Sequence, residues 1–445
     1  MVEEQDVRAA EELIGFIQAC PSMFHTTRTI AEHLDAAGFT RLAEGDAWKL
    51  APGGRYYTTR NGSSVIAFKV GERAAVPERY HFQVTASHGD SPTFKLKALP
   101  VIEGPDGMLR LDVEAYGGMI DYTWFDRPLS VAGRVLVETG GRVESRLIAP
   151  DRDLAMIPSL AIHLDRGMND GFSPNRATDV VPLVSAGELT AEGFDALIAR
   201  EAGVAPEQVL ARDLFLVSRV PARVWGAERE FVSSPKLDDL MCAFTSLKAF
   251  LAAENPASVN VYCCFDNEEV GSNPKQGAMS TFLPDALTRL TAALGLEPED
   301  YRRALARSMM VSCDNAHALH PNKADKYDGL NRCHLNGGIV IKEAANQHYC
   351  TDAFSRAVFI AVCRRAGVPF QTFANRSDMA GGSTLGNLSN MQASMHAIDV
   401  GCAQLAMHSS YETAGTRDVA QVTSALKAFL EADLAIEGAE SVELG

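Results

Sequence analysis

The 445-residue chain has no apolar run approaching the ~18–20 residues that a membrane-spanning helix needs, so no membrane association is expected. It has no excess of positive charge. Its 41 Lys and Arg stand against 57 Asp and Glu, a net charge of −16, which argues against nucleic acid or an anionic membrane as partner through a net positive field. No CxxC pair occurs. The nine cysteines are an odd number, eight of them between Cys242 and Cys402, and read as reduced thiols rather than a disulfide framework. The acidic start, Met1-Val2-Glu3-Glu4-Gln5-Asp6, is unlike a secretory or mitochondrial signal, and a cytoplasmic protein is expected. Internal repeats, low-complexity tracts and long linkers are absent. So are the H-E-x-x-H metal-binding helix, the G-x-S-x-G nucleophile elbow, the P-loop and the G-x-G-x-x-G turn.

What is there reads as a folded protein: 46% hydrophobic and 22% charged residues exclude a disordered or fibrous chain. The length is enough for a large core and about two or three domains at roughly 150 residues each. Apolar spacing predicts helices over 7–20 and 29–37, then strands over 64–70 and 80–86. From about residue 92 to 235 the texture changes to short strand-like runs with turn signals, such as Gly104-Pro105-Asp106-Gly107 and Gly140-Gly141. From Lys236 onward helical and strand patterns alternate. Helices are expected over 240–253, 285–294 (with Pro284 at its start), 352–366 and 421–434, and strands over 258–265 and 307–313. Such alternation predicts an α/β layered domain with a largely parallel sheet. The expected division is 1–91 with 236–445 as one domain and 92–235 as a β-rich insertion into it.

Three apolar runs end in residues that bind metals or move protons. One leads into His88-Gly89-Asp90, one into Asp266-Asn267-Glu268-Glu269 and one into Asp314-Asn315-Ala316-His317. In open α/β sheets the functional crevice lies beyond the carboxyl ends of the strands, so three strands delivering such groups to one edge has a mechanistic sense. His88 with Asp90 suits a metal ligand with its orienting carboxylate. The adjacent Glu268 and Glu269 point in different directions, so one can bind a metal while the other serves as general base. Asp238, near a helix start, is read either as an N-cap or as a bridge between two ions. Asp314 is read as a ligand or a turn residue, and His408 as a ligand or a satisfied core histidine. The His317–His320 spacing could bind metal on a helix, but Pro321 follows at once.

Five segments resemble those of the aspartyl aminopeptidase family, M18, of metallopeptidases: Ser87 to Pro92, Ser234 to Asp239, Asp266 to Ser272, Asp314 to Pro321 and Leu405 to Ser409. Their order and spacing match over essentially the whole chain. Asn-Glu-Glu-Val-Gly-Ser and Asp-x-x-His-Ala-x-His-Pro are the most specific. The resemblance implies an α/β catalytic domain with two divalent metal ions, usually Zn²⁺, and an inserted β-rich dimerisation domain. It implies His88, Asp238 and Asp314 around one ion, and Asp238, Glu269 and His408 around the other. Glu268 matches the general base and Asp90 the carboxylate that orients His88. His163, in Ile162-His163-Leu164-Asp165-Arg166, matches a histidine that reaches a neighbouring subunit's site. The resemblance also implies a homo-oligomer, a dodecamer built from dimers. Asp378 to Gly386 looks like the family's glycine-rich pocket loop. Two positions depart from the pattern: Gly89, where the family commonly has Thr, and Asp239, where many members have Asn.

The expected donors are oxygen and imidazole without thiolate, which suits Zn²⁺, Mn²⁺ or Co²⁺. The expected activity is removal of N-terminal residues, preferentially Asp or Glu, from peptide substrates, with Glu268 taking a proton from water and passing it to the leaving amine. Lys342 is the candidate partner for an acidic side chain. The rivals are a di-metal aminopeptidase of broad or neutral specificity and a non-catalytic shell-forming protein.

Overall fold

Seven-residue runs such as Val259–Phe265 and Ser64–Val70 are buried at every position, because the sheet they form is covered on both faces. The computed structural model describes all residues, 1–445. Its central layer is a nine-stranded mixed sheet in the order Thr40–Arg41, Arg55–Arg60, Ser64–Val70, Val259–Phe265, Phe82–His88, Met309–Cys313, His396–Gly401, Ile339–Lys342, Phe370–Phe373. The four strands from Val259–Phe265 to His396–Gly401 run parallel. Side chains alternate between two cores. Val65 and Ala67 pack with the helices Glu4–Ala19, Leu237–Ala252, Ala353–Ala366 and Thr416–Glu431. Ile66, Phe68 and Val70 pack with Phe282–Ala293 and Pro298–Ala306. The α/β expectation therefore holds, with a mixed sheet.

Residues 93–218 supply a second, antiparallel sheet of six strands in the order Arg142–Ile148, Leu129–Thr139, Val209–Ser218, Thr93–Glu103, Leu109–Tyr116, Leu183–Ser185. Leu109, Leu111 and Val113 alternate inward with Phe194 and Ile198 of the helix Ala191–Glu201 in a separate core. Arg134 ties this sheet to the central layer: it donates to the Asn61 carbonyl at 2.9 Å and lies 4.4 Å over the Phe24 ring. The strands Arg223–Trp225 and Phe231–Ser234 instead join a five-stranded sheet with Glu412–Gly415, Ala403–Leu405 and Ala316–His317. No helix is long and apolar enough to cross a membrane.

Several boundaries differ from expectation for local reasons. The second helix begins at Met23, because the polar His25, Thr26 and Thr27 are buried against neighbouring segments and hide the apolar period. The strand expected over 80–86 spans Phe82–His88, since pairing begins where Phe82 meets Val259 and continues to His88 opposite Phe265. Arg307 and Ser308 finish the preceding helix, the Ser308 hydroxyl donating to the Ala304 carbonyl, so the next strand starts at Met309. The helix expected over 285–294 starts at Phe282 and carries Pro284 within its first turn, where a missing N–H costs little. The last helix starts early, at Thr416. Asp418 in its first turn accepts the backbone N–H groups of Asn336 and Gly338, and Leu434 lies beyond it in a short strand. The helices Ala191–Glu201, Pro298–Ala306 and Leu385–Gln392 fall outside the expected set; each is short, and only three or four of its residues are buried.

Candidate metal and active site

The parallel strands end together. His88 is the last residue of its strand and pairs with Phe265, which leads through Asp266 into the short helical turn Glu268–Val270. Asp314 follows the strand Met309–Cys313. Asp238 comes from the start of the helix Leu237–Ala252, and His408 from the turn between Ala403–Leu405 and Glu412–Gly415. Asp238 does not act as an N-cap: its carboxylate accepts no backbone N–H of the helix's first turn, its Oδ1 has no hydrogen-bond partner, and the group faces the two histidines. Its Oδ1 lies 3.7 Å from His88 Nε2 and its Oδ2 lies 3.3 Å from His408 Nε2. Asp314 Oδ1 is 4.0 Å from His88 Nε2, and Glu269 Oε2 is 3.6 Å from His408 Nε2. Glu268 Oε2 stands 4.0 Å from His88 Nε2, between the two groups.

Donor atoms of His88, Asp238, Asp239 and Asp314 lie within 4.8 Å of one another, as do those of Asp238, Glu269 and His408. A tetrahedral ion with ligands at about 2.0–2.2 Å holds them roughly 3.3–3.6 Å apart, so both groups need only small closure to take one. Asp238 Oδ1, Asp239 Oδ1 and Glu269 Oε1 are buried without any hydrogen-bond partner. Orphaned carboxylate oxygens of that kind are costly unless a cation meets them, and the donor set fits divalent ions.

Both histidines are held from behind. The Nδ1 atom of His88 lies 3.2 Å from the Asp90 carbonyl and 3.3 Å from its carboxylate. The Nδ1 atom of His408 lies 2.9 Å from the Gly118 carbonyl. Donation from Nδ1–H in both rings leaves Nε2 free for an ion. Asp90 also accepts the backbone N–H groups of Glu268 and Glu269, each at 3.2 Å. Glu412, unrecognised in the sequence, accepts the N–H of Asp238 at 2.9 Å and of His408 at 2.7 Å, and so clips two segments together. Tyr116 is equally unannounced; its hydroxyl donates to Asp90 at 2.8 Å. Gly89 has a local reason: a β-carbon there would meet Thr26 Cγ2 at 3.0 Å and Cys264 Sγ at 3.1 Å. Asp239 accepts the His88 N–H at 3.2 Å.

The electrostatics follow from crowding. Burial pushes the Glu268 carboxyl up to about 8, reinforced by Asp314, Asp90 and Asp238 and opposed by His88. Burial and the neighbouring carboxylates also raise Glu269, Asp239 and Asp314. Asp238 is held low although burial opposes its charge, because His408 bonds to it and His88 and His408 flank it. Burial works against protonation of His408, yet Asp238 and Glu269 raise it to about 10.

The cluster opens on a cavity of about 340 Å³ whose lining includes Lys342, Asn315, His317, Tyr349 and Thr384. Lys342 is buried on its strand with Nζ 3.3 Å from the Asn315 carbonyl and 3.7 Å from Asp314 Oδ2. Gly382, Ser383 and Thr384 of the glycine-rich loop reach the same cavity. His317 and His320 line it but form no ligand pair with the carboxylates; the His317 ring tilts against Phe373 and His320 Nδ1 accepts the Asn322 N–H. His163 is not among these residues: it lies in an exposed loop of its own subunit.

Comparison with known proteins identifies the family. The profile of the family described as "Aminopeptidase I zinc metalloprotease (M18)" matches residues 16–430. The chain is 40% identical over 434 residues to a probable M18 family aminopeptidase 2 of Clostridium acetobutylicum, covering 96% of this chain and 99% of that protein. It is 41% identical over 422 residues to the protein of the same description from Pseudomonas aeruginosa, covering 94% and 96%. Among solved structures, Ape4 in its complex with Nbr1 superposes with a TM-score of 0.92 at 36% identity, covering 97% of this chain and 87% of that one. The S. cerevisiae mApe1 dodecamer superposes with a TM-score of 0.84 at 28% identity, covering 95% and 96%. With its fold, its imidazole–carboxylate cluster and these relatives, the chain belongs to the M18 family of metallo-aminopeptidases.

Proposed function

We propose that the enzyme removes N-terminal Asp or Glu from peptides at a two-ion centre. The observation that carries this reading is the split of Asp238, one oxygen toward His88 and the other toward His408. His88, Asp238 and Asp314 would hold one ion, and Asp238, Glu269 and His408 the other. Zn²⁺ is the first choice, with Mn²⁺ or Co²⁺ as alternatives for the same oxygen and imidazole donors. Such a pair would supply Lewis acidity toward the peptide carbonyl and would lower the pKa of a water. Glu268 then accepts the proton of the attacking water at its carboxylate and returns it to the leaving amine. Its 15% exposed side chain at the edge of the cavity suits that shuttle. Asp90 orients His88 and fixes the amides of Glu268 and Glu269.

Lys342 would meet the acidic side chain of the substrate. An ammonium has three donors; one is directed to the Asn315 carbonyl, and the 3.7 Å to Asp314 leaves capacity for a substrate carboxylate in the cavity. A neutral-specificity enzyme shares the metal site but gives this buried cation no substrate partner. His163 would serve a neighbouring subunit's site within a dodecamer of dimers. Its loop exposes Leu160, Ile162, Leu164 and Phe172, apolar groups that an interface would cover, and the yeast relative is a dodecamer. A monomer in light scattering would remove that role. Eight of the nine thiols are buried and all are unpaired, which suits a reducing cytoplasm.

Hydrolysis of Asp-, Glu- and Leu-p-nitroanilide tests the reading. Metal-dependent cleavage favouring Asp and Glu is expected, and a preference for Leu would contradict it. Glu268→Gln is expected to lower kcat by at least about 10²-fold with the ions retained. Lys342→Met is expected to cut the Asp-to-Leu ratio of kcat/KM by about 10–100-fold, the worth of one charge-assisted hydrogen bond. An unchanged ratio removes Lys342 from the pocket.

Ion removal should be pH-dependent. Glu268 and Glu412, both pushed to about 8 chiefly by burial, keep protons in the ion-free fold that an unfolded glutamate releases near 4.5. Their contribution is full below about pH 4.5 and lost as the pH rises through about 8. His408, raised to about 10, acts in the same direction above 6.5. The rise in melting temperature on adding Zn²⁺ to chelator-stripped protein should therefore be larger at pH 8 than at pH 5. An equal rise at both would contradict this account.

A further inference from the structure

One short segment of the other sheet hydrogen-bonds to His408 directly and to Asp90, the group behind His88. The strand Leu109–Tyr116 ends at the cluster, and the turn after it runs alongside both ligand groups. At its start the Tyr116 hydroxyl donates to Asp90 Oδ2 at 2.8 Å and accepts from Asn267 Nδ2 at 3.0 Å. Asp90 is the group behind His88 and the acceptor for the Glu268 and Glu269 amides. Two residues on, the Gly118 carbonyl accepts from His408 Nδ1 at 2.9 Å. Next, the Ile120 N–H donates to the His408 carbonyl at 2.9 Å, and Thr123 Oγ1 accepts the Ser410 N–H at 2.9 Å.

Gly117, between the two contacts, has φ +85°, and a β-carbon there would lie 3.1 Å from Glu269 Cβ and 3.4 Å from Glu269 Oε2. The turn can press against Glu269 only with glycine at this position. The Tyr116 ring is fixed independently of its hydroxyl, edge-on to Phe215 at 5.4 Å.

We propose that Tyr116-Gly117-Gly118 is a positioning strap for both ions, reaching the His88 ion through Asp90 and the His408 ion through the Gly118 carbonyl. The inference rests on the ligand assignment above and goes beyond it, because it makes the metal affinity of the central sheet depend on a turn of the antiparallel sheet. Groups behind the ligands fix imidazole orientation and basicity, and their loss typically lowers metal affinity about 10–100-fold. Tyr116 touches neither substrate nor ion in this scheme and is a positioning residue.

The test is Zn²⁺ binding to chelator-stripped full-length protein, measured by competition with a chromophoric chelator to give two dissociation constants. Tyr116→Phe keeps the ring and removes only the hydroxyl. It is expected to weaken one ion by about 10–100-fold and to leave the other within about threefold. Gly117→Ala is expected to weaken the other ion. Should that variant fail to fold, Tyr116→Phe decides alone. Wild-type constants for both ions in Tyr116→Phe, even with a lowered melting temperature of the stripped protein, would overturn the strap and leave the ligand assignment standing. A stripped wild-type protein that takes up no Zn²⁺ would overturn the ligand assignment and the strap together.

Discussion

Asp238, Asp239, Asp314, Glu268 and Glu269 converge with only two imidazoles in a space that excludes most water. Their charges cannot all be expressed there at once. The shifts of Glu268 and Glu269 upward, and of His408 upward with them, are one response to that crowding. Divalent cations are the other, and they leave the carboxylates ionised and able to act. Much of the surrounding architecture keeps this repulsive set assembled. Parallel strands bring His88 and Asp314 to one edge, while the Asp90 and Glu412 carboxylates accept backbone N–H groups of the segments that carry the candidate ligands.

The same constraint links the two sheets. The candidate ligands come from the central sheet's strand ends and the segments beside it, but the antiparallel sheet and the turn after it supply the Tyr116 hydroxyl and the Gly118 carbonyl behind them. Arg134, with its contacts to Asn61, Phe24 and Asp213, pins that sheet in place nearby. Lys342 sits on the opposite side, beside Asp314, where a cation both offsets a ligand's charge and faces the cavity.

The strand ends were the legible part of the sequence. Buried seven-residue runs announce themselves by composition, and polar residues at their carboxyl ends follow the rule for open α/β sheets. The antiparallel stretch after Pro92 was legible as texture, though Arg223–Ser234 pairs with C-terminal strands that no local pattern connects to it. Asp238 was ambiguous because a carboxylate at a helix start looks like a cap; only its distances to His88 and His408 separate the roles. Glu412 and Tyr116 gave no signal. Each acts through hydrogen bonds to residues distant in the chain, Tyr116 on Asp90 26 residues away and Glu412 on Asp238 174 residues away, and each sits in a segment whose pattern is that of an ordinary strand. Helix boundaries failed where buried polar groups such as Thr26 and Asp418 interrupt the apolar period.

The most direct test of a two-ion centre is a crystal structure of the Zn²⁺-loaded protein with anomalous data at the zinc edge. The account predicts two peaks about 3.5–4 Å apart, one bounded by His88, Asp238 and Asp314 and the other by Asp238, Glu269 and His408, with Asp238 shared. A single peak, or zinc held instead by His317 and His320, would contradict it.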